Sequence, residues 1–170
     1  MPDQSLTASV PPSLPDHQRE QAAQVLRQFR VVFNAVRTHF QQVEKRVGIG
    51  GAQVWALHVV RERPGIGINE LARRMDIHQS TASNLVRQLV KRGLVQLQKS
   101  TIDRRNVQLF VEPAGLTLLQ GAPGPYEGVL PEALQKLPPT TLTQLQHHLA
   151  QLVHMLQADE SAGGIPLAEL

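Results

Sequence analysis

The spacing of apolar residues changes period at Gly93, and that change constrains the fold more than any other feature of the chain. Before it, Ala82, Leu85, Val86, Leu89 and Val90 recur at helical spacing, which puts them on one side of a helix. After it, Val95 and Leu97 alternate with Gln96 and Gln98, and Val107, Leu109 and Val111 alternate with Gln108 and Phe110. That is the two-residue period of strands, and the polar stretch Thr101–Asn106 between them suits a hairpin tip. Upstream, Ile68, Leu71, Ala72 and Met75 form a second helical stripe, and Asp76–His78 leaves room only for a tight turn. The expected order from Ile68 to Gly115 is short helix, turn, helix, hairpin.

The flanks follow a different rule. No Gly or Pro interrupts His17–Val47, and Ala22, Leu26, Phe29, Phe33, Val36, Phe40, Val43 and Val47 recur in alternating steps of four and three. This is a heptad seam longer than a small core needs. Gly48, Gly50 and Gly51 end it, and a short helix containing Val54, Leu57, His58 and Arg61 stops before Pro64. Near the other end, Leu142, Leu145, Leu149, Leu152 and Leu156 repeat the seam on a helix expected to begin at Thr140 or Thr141. Two such seams exceed what short helices can cover within one chain, so packing of the N- and C-terminal helices between two copies is the expected solution, against an intrachain bundle. Residues 1–16, with four prolines, are expected to form a disordered arm, and the residues from Ala158 a frayed tail.

Charge narrows the function. The net charge is only +3, but Pro64–Phe110 holds eight Lys and Arg against three Asp and Glu, leaving the remainder at −2. Positive charge is gathered on the helix-turn-helix and hairpin, as phosphate binding requires. The absence of cysteine removes disulfides and thiolate metal sites. Neither an apolar run of membrane-spanning length nor a secretory leader pattern is present, so a cytoplasmic location with no membrane partner is expected.

On the second helix, the side opposite the apolar stripe carries Gln79, Ser80, Ser83, Asn84, Arg87 and Lys91. Amides and hydroxyls can read base edges, and Arg can take guanine or phosphate. A merely solvated face would more often use Glu and Lys, which are better helix formers. At the hairpin tip, Arg104 and Arg105 beside Asp103 read either as an ordinary charged turn or as an arginine suited to a narrow minor groove.

Ile68–Ala72, Gln79–Ser83, Leu89–Val95, Asp103–Arg105 and Pro113–Gly115 together resemble the MarR family of bacterial winged helix-turn-helix regulators, and the resemblance extends over about residues 18–157. The Asp-x-Arg wing, ten residues after Gly93, is its most specific element. The resemblance implies a homodimeric, sequence-specific transcriptional regulator that binds a pseudopalindromic operator in double-stranded DNA. It puts Ser80, Thr81, Ser83, Asn84 and Arg87 on recognition-helix positions, Arg105 on the wing arginine and Asp103 on the carboxylate that steadies it. The chain departs from the family at Asn84, where Arg is frequent, at Asp76, where Gly is common, and at Val111 and Glu112, which replace Leu-Thr.

The expected fold is mainly α with a small β-hairpin wing. It comprises a winged helix-turn-helix over residues 48–113 and helical dimerisation regions at 17–47 and 114–157, with a flexible tail at 158–170. DNA-contacting candidates are Gln79, Ser80, Thr81, Ser83, Asn84, Arg87, Lys91, Asp103, Arg104 and Arg105. Dimerisation candidates are Phe29, Phe33, Val36, Leu145, Leu149 and Leu152. Members of the family are commonly repressors released by a small, often aromatic, effector. His39, Phe40, Trp55 and His58 are the candidates for such a cleft, although aromatics at heptad spacing more often serve a core. His78 is placed to cap the recognition helix or touch phosphate. His147, His148 and His154 share a helix without acidic partners at ligand spacing, so solvation is the better reading than metal binding. No cofactor is expected, and no nucleophile elbow, phosphate loop or paired-carboxylate pattern supports an enzyme. The competing function is a winged-helix protein-interaction module without specific DNA binding.

Overall fold

The computed structural model describes residues 15–99 and 107–169. Helix α1 (Asp16–Val47) is followed by α2 (Gly51–Glu62), α3 (Ile68–Met75) and α4 (Gln79–Lys91). The hairpin β1 (Val95–Lys99) and β2 (Val107–Val111) comes next, and then α5 (Pro113–Gly121), α6 (Val129–Gln135) and α7 (Pro139–Met155). The helix-turn-helix and both strands fall where the apolar periods place them. The chain divides at Asn34/Ala35 into two units, and the second half of α1 falls in the same unit as the helix-turn-helix, the hairpin and α5 to α7.

The core of the larger unit is built from the predicted stripes. Leu71 and Met75 of α3, Leu85, Val86 and Leu89 of α4, Val95 of β1 and Leu109 of β2 are each at most 2% exposed, joined by Leu57 and Val60 of α2. Covering one such side chain is worth roughly 1.5–3 kcal/mol, so the stripe on α4 alone accounts for much of this unit's cohesion. The strands pair antiparallel with Val95 opposite Val111 and Leu97 opposite Leu109, and Ile66 adds an isolated bridge to Leu109.

Backbone chemistry sets the corners. Asp76 ends α3 in the left-handed conformation (φ 50°), which Asp tolerates better than most residues. Gly93 takes φ 68° where the chain leaves α4 for the hairpin. Gly115 is needed for another reason. A Cβ there would lie 2.5 Å from the Leu94 carbonyl oxygen and 2.8 Å from Val111 Cγ1, so only glycine lets α5 approach the root of the hairpin.

Two expectations are corrected. The residues from Ala158 are not a frayed tail. Glu160–Gly164 and Leu167–Glu169 form 3-10 turns, Pro166 is buried, and Ala168 packs against the core. Val36, expected at a dimer seam, is only 6% exposed within its own chain, because the seam turns inward in the second half of α1, where Val43 is 2% exposed. In the first half the seam is uncovered, with Leu26 50% and Phe33 57% exposed.

Candidate nucleic-acid interface

Within the α3–turn–α4 unit, α4 is packed into the core along one side. Ala82, Leu85, Val86 and Leu89 are buried, and the buried Gln53 of α2 donates from its side-chain amide to Gln88 Oε1. The opposite side is left free. Gln79, Ser80, Asn84, Arg87 and Lys91 are exposed, and Thr81 and Ser83 are half-buried beside them. In the free protein these groups satisfy one another. Gln79 Nε2 donates to Ser83 Oγ at 3.3 Å, and Arg87 donates to Asn84 Oδ1 at 3.0 Å. The second pair holds a guanidinium in place with an amide, each of which could be exchanged for a base edge at little net loss of hydrogen bonding.

The start of α4 carries no side-chain cap, so its first N–H groups are not met by His78. His78 supplies the extended backbone before the helix, but its ring points elsewhere: Nε2 donates to the Ser161 carbonyl at 2.6 Å. The expected capping role is therefore replaced by a contact with the C-terminal segment. Basic groups on α3 are less available than their number implies, since Glu70 pairs with Arg73 at 2.5 Å and Arg74 at 3.4 Å. Arg92 is engaged too, donating to the Gly48 carbonyl at 3.1 Å. Among the described residues, Arg87 and Lys91 on α4 and Lys99 on the hairpin are exposed and make no ion pair with another described residue. The expected wing residues Asp103, Arg104 and Arg105 lie outside the described residues.

The four candidates for an effector cleft divide into two pairs. Phe40 and Trp55 line a cavity of about 360 Å³ together with Tyr126, Val129, Ile165 and Pro166. Two glycines make room for the Phe40 ring. A Cβ on Gly51 would fall 2.1 Å from it, and one on Gly128 2.9 Å. His39 and His58 do not line this space. His39 is 8% exposed, and its Nε2 donates to the Pro125 carbonyl at 3.0 Å, pinning the loop before α6. His58 stacks on Tyr126 with ring centroids 4.4 Å apart and accepts from Arg61 at 2.9 Å. Burial, and then the Arg61 charge, hold its pKa below the ordinary value. The C-terminal wall of the cavity was missed because Ile165, Pro166 and Ala168 show no periodic pattern. Tyr126, the chain's single tyrosine, was the more visible signal.

The family model described as MarR family matches residues 47–106, which begins at the end of α1 and takes in α2, α3, α4 and β1. Over that stretch the chain is similar to the MarR family. The chain is 20% identical over 131 residues to the HTH-type transcriptional repressor MdtR of Bacillus subtilis, covering 77% of this chain and 84% of that protein. It is 29% identical over 85 residues to a protein of Thauera aromatica assigned to regulation of the hcr operon, covering 50% of this chain and 51% of that one. Among solved structures, MepR of S. aureus in complex with DNA superposes with a TM-score of 0.54 at 19% identity, covering 76% of this chain and 95% of that one. A MepR-like protein complexed with pseudoligands superposes at 0.53 and 15% identity, covering 85% of this chain and all of the other. At these identities the superpositions establish a shared fold.

Among the described residues no three His, Asp or Glu side chains come together at metal-ligand distance. The rings of His147 and His148 meet edge to face with centroids 5.7 Å apart, and Gln151 bonds His147 at 3.2 Å.

Proposed function

We propose that the chain is a homodimeric, sequence-specific DNA-binding transcriptional regulator that acts as a repressor and is released by a small apolar ligand. The observation that carries this is the division of α4, with one side consumed by the core and the other presenting an amide–guanidinium pair between hydroxyls. A helix built this way can enter a major groove and offer Ser83, Asn84 and Arg87 to base edges, while Lys91 and Lys99 meet phosphate. The MepR–DNA complex of the same fold and the repressor name of MdtR support the assignment.

Dimerisation is supported by apolar surface that the single chain does not cover. Phe33 and Leu26 on α1, and Leu142, Leu149 and Leu152 on α7, are 37–57% exposed. Two copies joined through these helices would present two α4 helices to a palindrome with half-sites roughly 34 Å apart. Ligand control is supported by the cavity under Phe40, Trp55 and Tyr126, whose lining suits an aromatic or aliphatic molecule.

Selection from random duplex DNA with the purified protein at physiological salt tests the proposal. Enrichment of a pseudopalindrome with one-turn spacing is the expected result. A folded dimer that enriches nothing, and whose weak DNA affinity lacks a steep salt dependence, would instead be a protein-interaction module.

A further inference from the structure

The segment Asp159–Glu169 is seated on the winged helix by specific contacts. Asp159 Oδ1 accepts the Ser161 N–H at 2.9 Å and so starts the 3-10 turn Glu160–Gly164. That turn delivers two carbonyls to one residue: Ser161 O accepts from the His78 ring at 2.6 Å, and Gly164 O accepts the His78 backbone N–H at 3.0 Å. The fit at Gly164 is close enough that a Cβ there would meet the His78 imidazole at 2.6–2.8 Å. Beyond the turn, Pro166 is buried and Ala168 joins the core.

The seat matters because of what lies beneath it. His78 is the residue from which α4 starts. Ile165 and Glu169 border a hollow whose other side is Thr81, Asn84, Arg87 and Gln88. Three of those four are candidates for DNA contact, so the segment and a DNA duplex lay claim to the same flank of α4. Charge points the same way. Residues 158–170 carry Asp159, Glu160 and Glu169 and no Lys or Arg, against the net +5 of Pro64–Phe110. Of these, Glu169 borders the hollow beside Asn84 and Arg87, where a carboxylate opposes the approach of a phosphate.

We propose that the acidic C-terminal segment, residues 159–169, is an intramolecular clasp that competes with DNA for the N-terminal flank of α4. The inference rests on α4 being the recognition helix, and it adds a device for regulating it. The opposite side of the segment, Ile165–Ala168, is a wall of the cavity shared with Phe40 and Trp55. A molecule in that cavity contacts Ile165 and Pro166 only while the clasp is seated. It therefore binds the clasped state more tightly and shifts the population away from DNA, which is how a ligand would relieve repression here.

The chain has no cysteine, so a single engineered disulfide can hold the clasp shut. His78→Cys with Gly164→Cys places two thiols where the structure brings backbone and ring together, and the first change removes the three atoms nearest to a Cβ at 164. Affinity for a fluorescent random-sequence duplex of about 30 base pairs, long enough for two half-sites, is read with the same protein oxidised and reduced. Oxidation is expected to weaken binding by about tenfold or more, with recovery on reduction. Equal affinity in the two states, with the crosslink verified by mass, overturns the clasp. So does failure of the disulfide to form, since the segment would then not sit against residue 78. The converse variant, Ala168→Asp, should loosen the seat and bind the duplex several-fold more tightly than the parent; unchanged affinity in the folded variant also counts against the proposal. If no form binds duplex, including the reduced and loosened ones, the recognition-helix assignment itself fails, an outcome distinct from all forms binding equally.

Discussion

α4 and α7 carry almost the same apolar pattern. On α4, Ala82, Leu85, Val86 and Leu89 are each at most 2% exposed. On α7, Leu142, Leu145, Leu149 and Leu152 recur at similar spacing, yet no residue of that helix is buried, and Leu142, Leu149 and Leu152 remain 37–41% exposed. Periodicity therefore identifies a face that must be covered without saying what covers it. The chain's own α2, α3 and hairpin cover α4. For α7 and the first half of α1, where Phe29 stacks on the exposed Phe33 at 6.2 Å, the cover would be the second copy proposed above.

Truncation separates the two helices most sharply. Leu89→Ala should cost about 2–5 kcal/mol, because the fully enclosed site cannot collapse around the missing atoms. Leu149→Ala at a micromolar concentration should cost far less unless the dimer is the folded unit. Urea unfolding at several protein concentrations reads both, and equal losses at every concentration would erase the contrast. Next in size is assembly. Leu149→Asp combined with Phe33→Asp should reduce the mass seen by light scattering to that of one 18.8 kDa chain and abolish tight operator binding. A persistent dimer would mean that these faces are covered in some other way.

The same contrast explains what could be read in advance. The winged helix was legible because its signals are local: a stripe at helical period on α4, a switch to period two at Val95, and residues that accept left-handed backbone at Asp76 and Gly93. The polar face of α4 was legible for the same reason. The seating of residues 159–169 was not, since it depends on two backbone carbonyls, at Ser161 and Gly164, which no residue type announces. Position also separated look-alikes. Phe40 and Trp55 reach the cavity, while His39 and His58, one and three residues away, are held by Pro125 and by Tyr126 and Arg61. Val36 shows the limit of a heptad, because one seam serves the interior along half its length and is exposed along the other half.

A smaller effect tests the free face of α4. Asn84→Ala removes the acceptor that holds Arg87, so the guanidinium gains freedom and an amide is lost. The expected outcome is altered base preference at one or two positions per half-site, worth about 1–3 kcal/mol per base contact, with thermal stability nearly unchanged. Selection from random DNA on the variant and the parent compares them directly, and an identical consensus would take Asn84 out of base readout.

The smallest expected effect concerns α2, the helix that both the core and the cavity share. His58 faces Tyr126 and Glu127 from the loop before α6, and Arg61 and Glu62 from its own helix. Burial and Arg61 favour the neutral ring and outweigh the two carboxylates, so the folded pKa lies below the ordinary 6.5. Above that value the ring is neutral whether the chain is folded or not, and its contribution to stability is intact. As the pH falls through 6.5 toward the folded pKa, the unfolded chain takes up the proton more readily, and that contribution is lost. His58→Gln should flatten this part of the curve of melting temperature against pH. An identical slope in the variant would mean that the ring is not held neutral in the fold, and that its stacking on Tyr126 tolerates the charge.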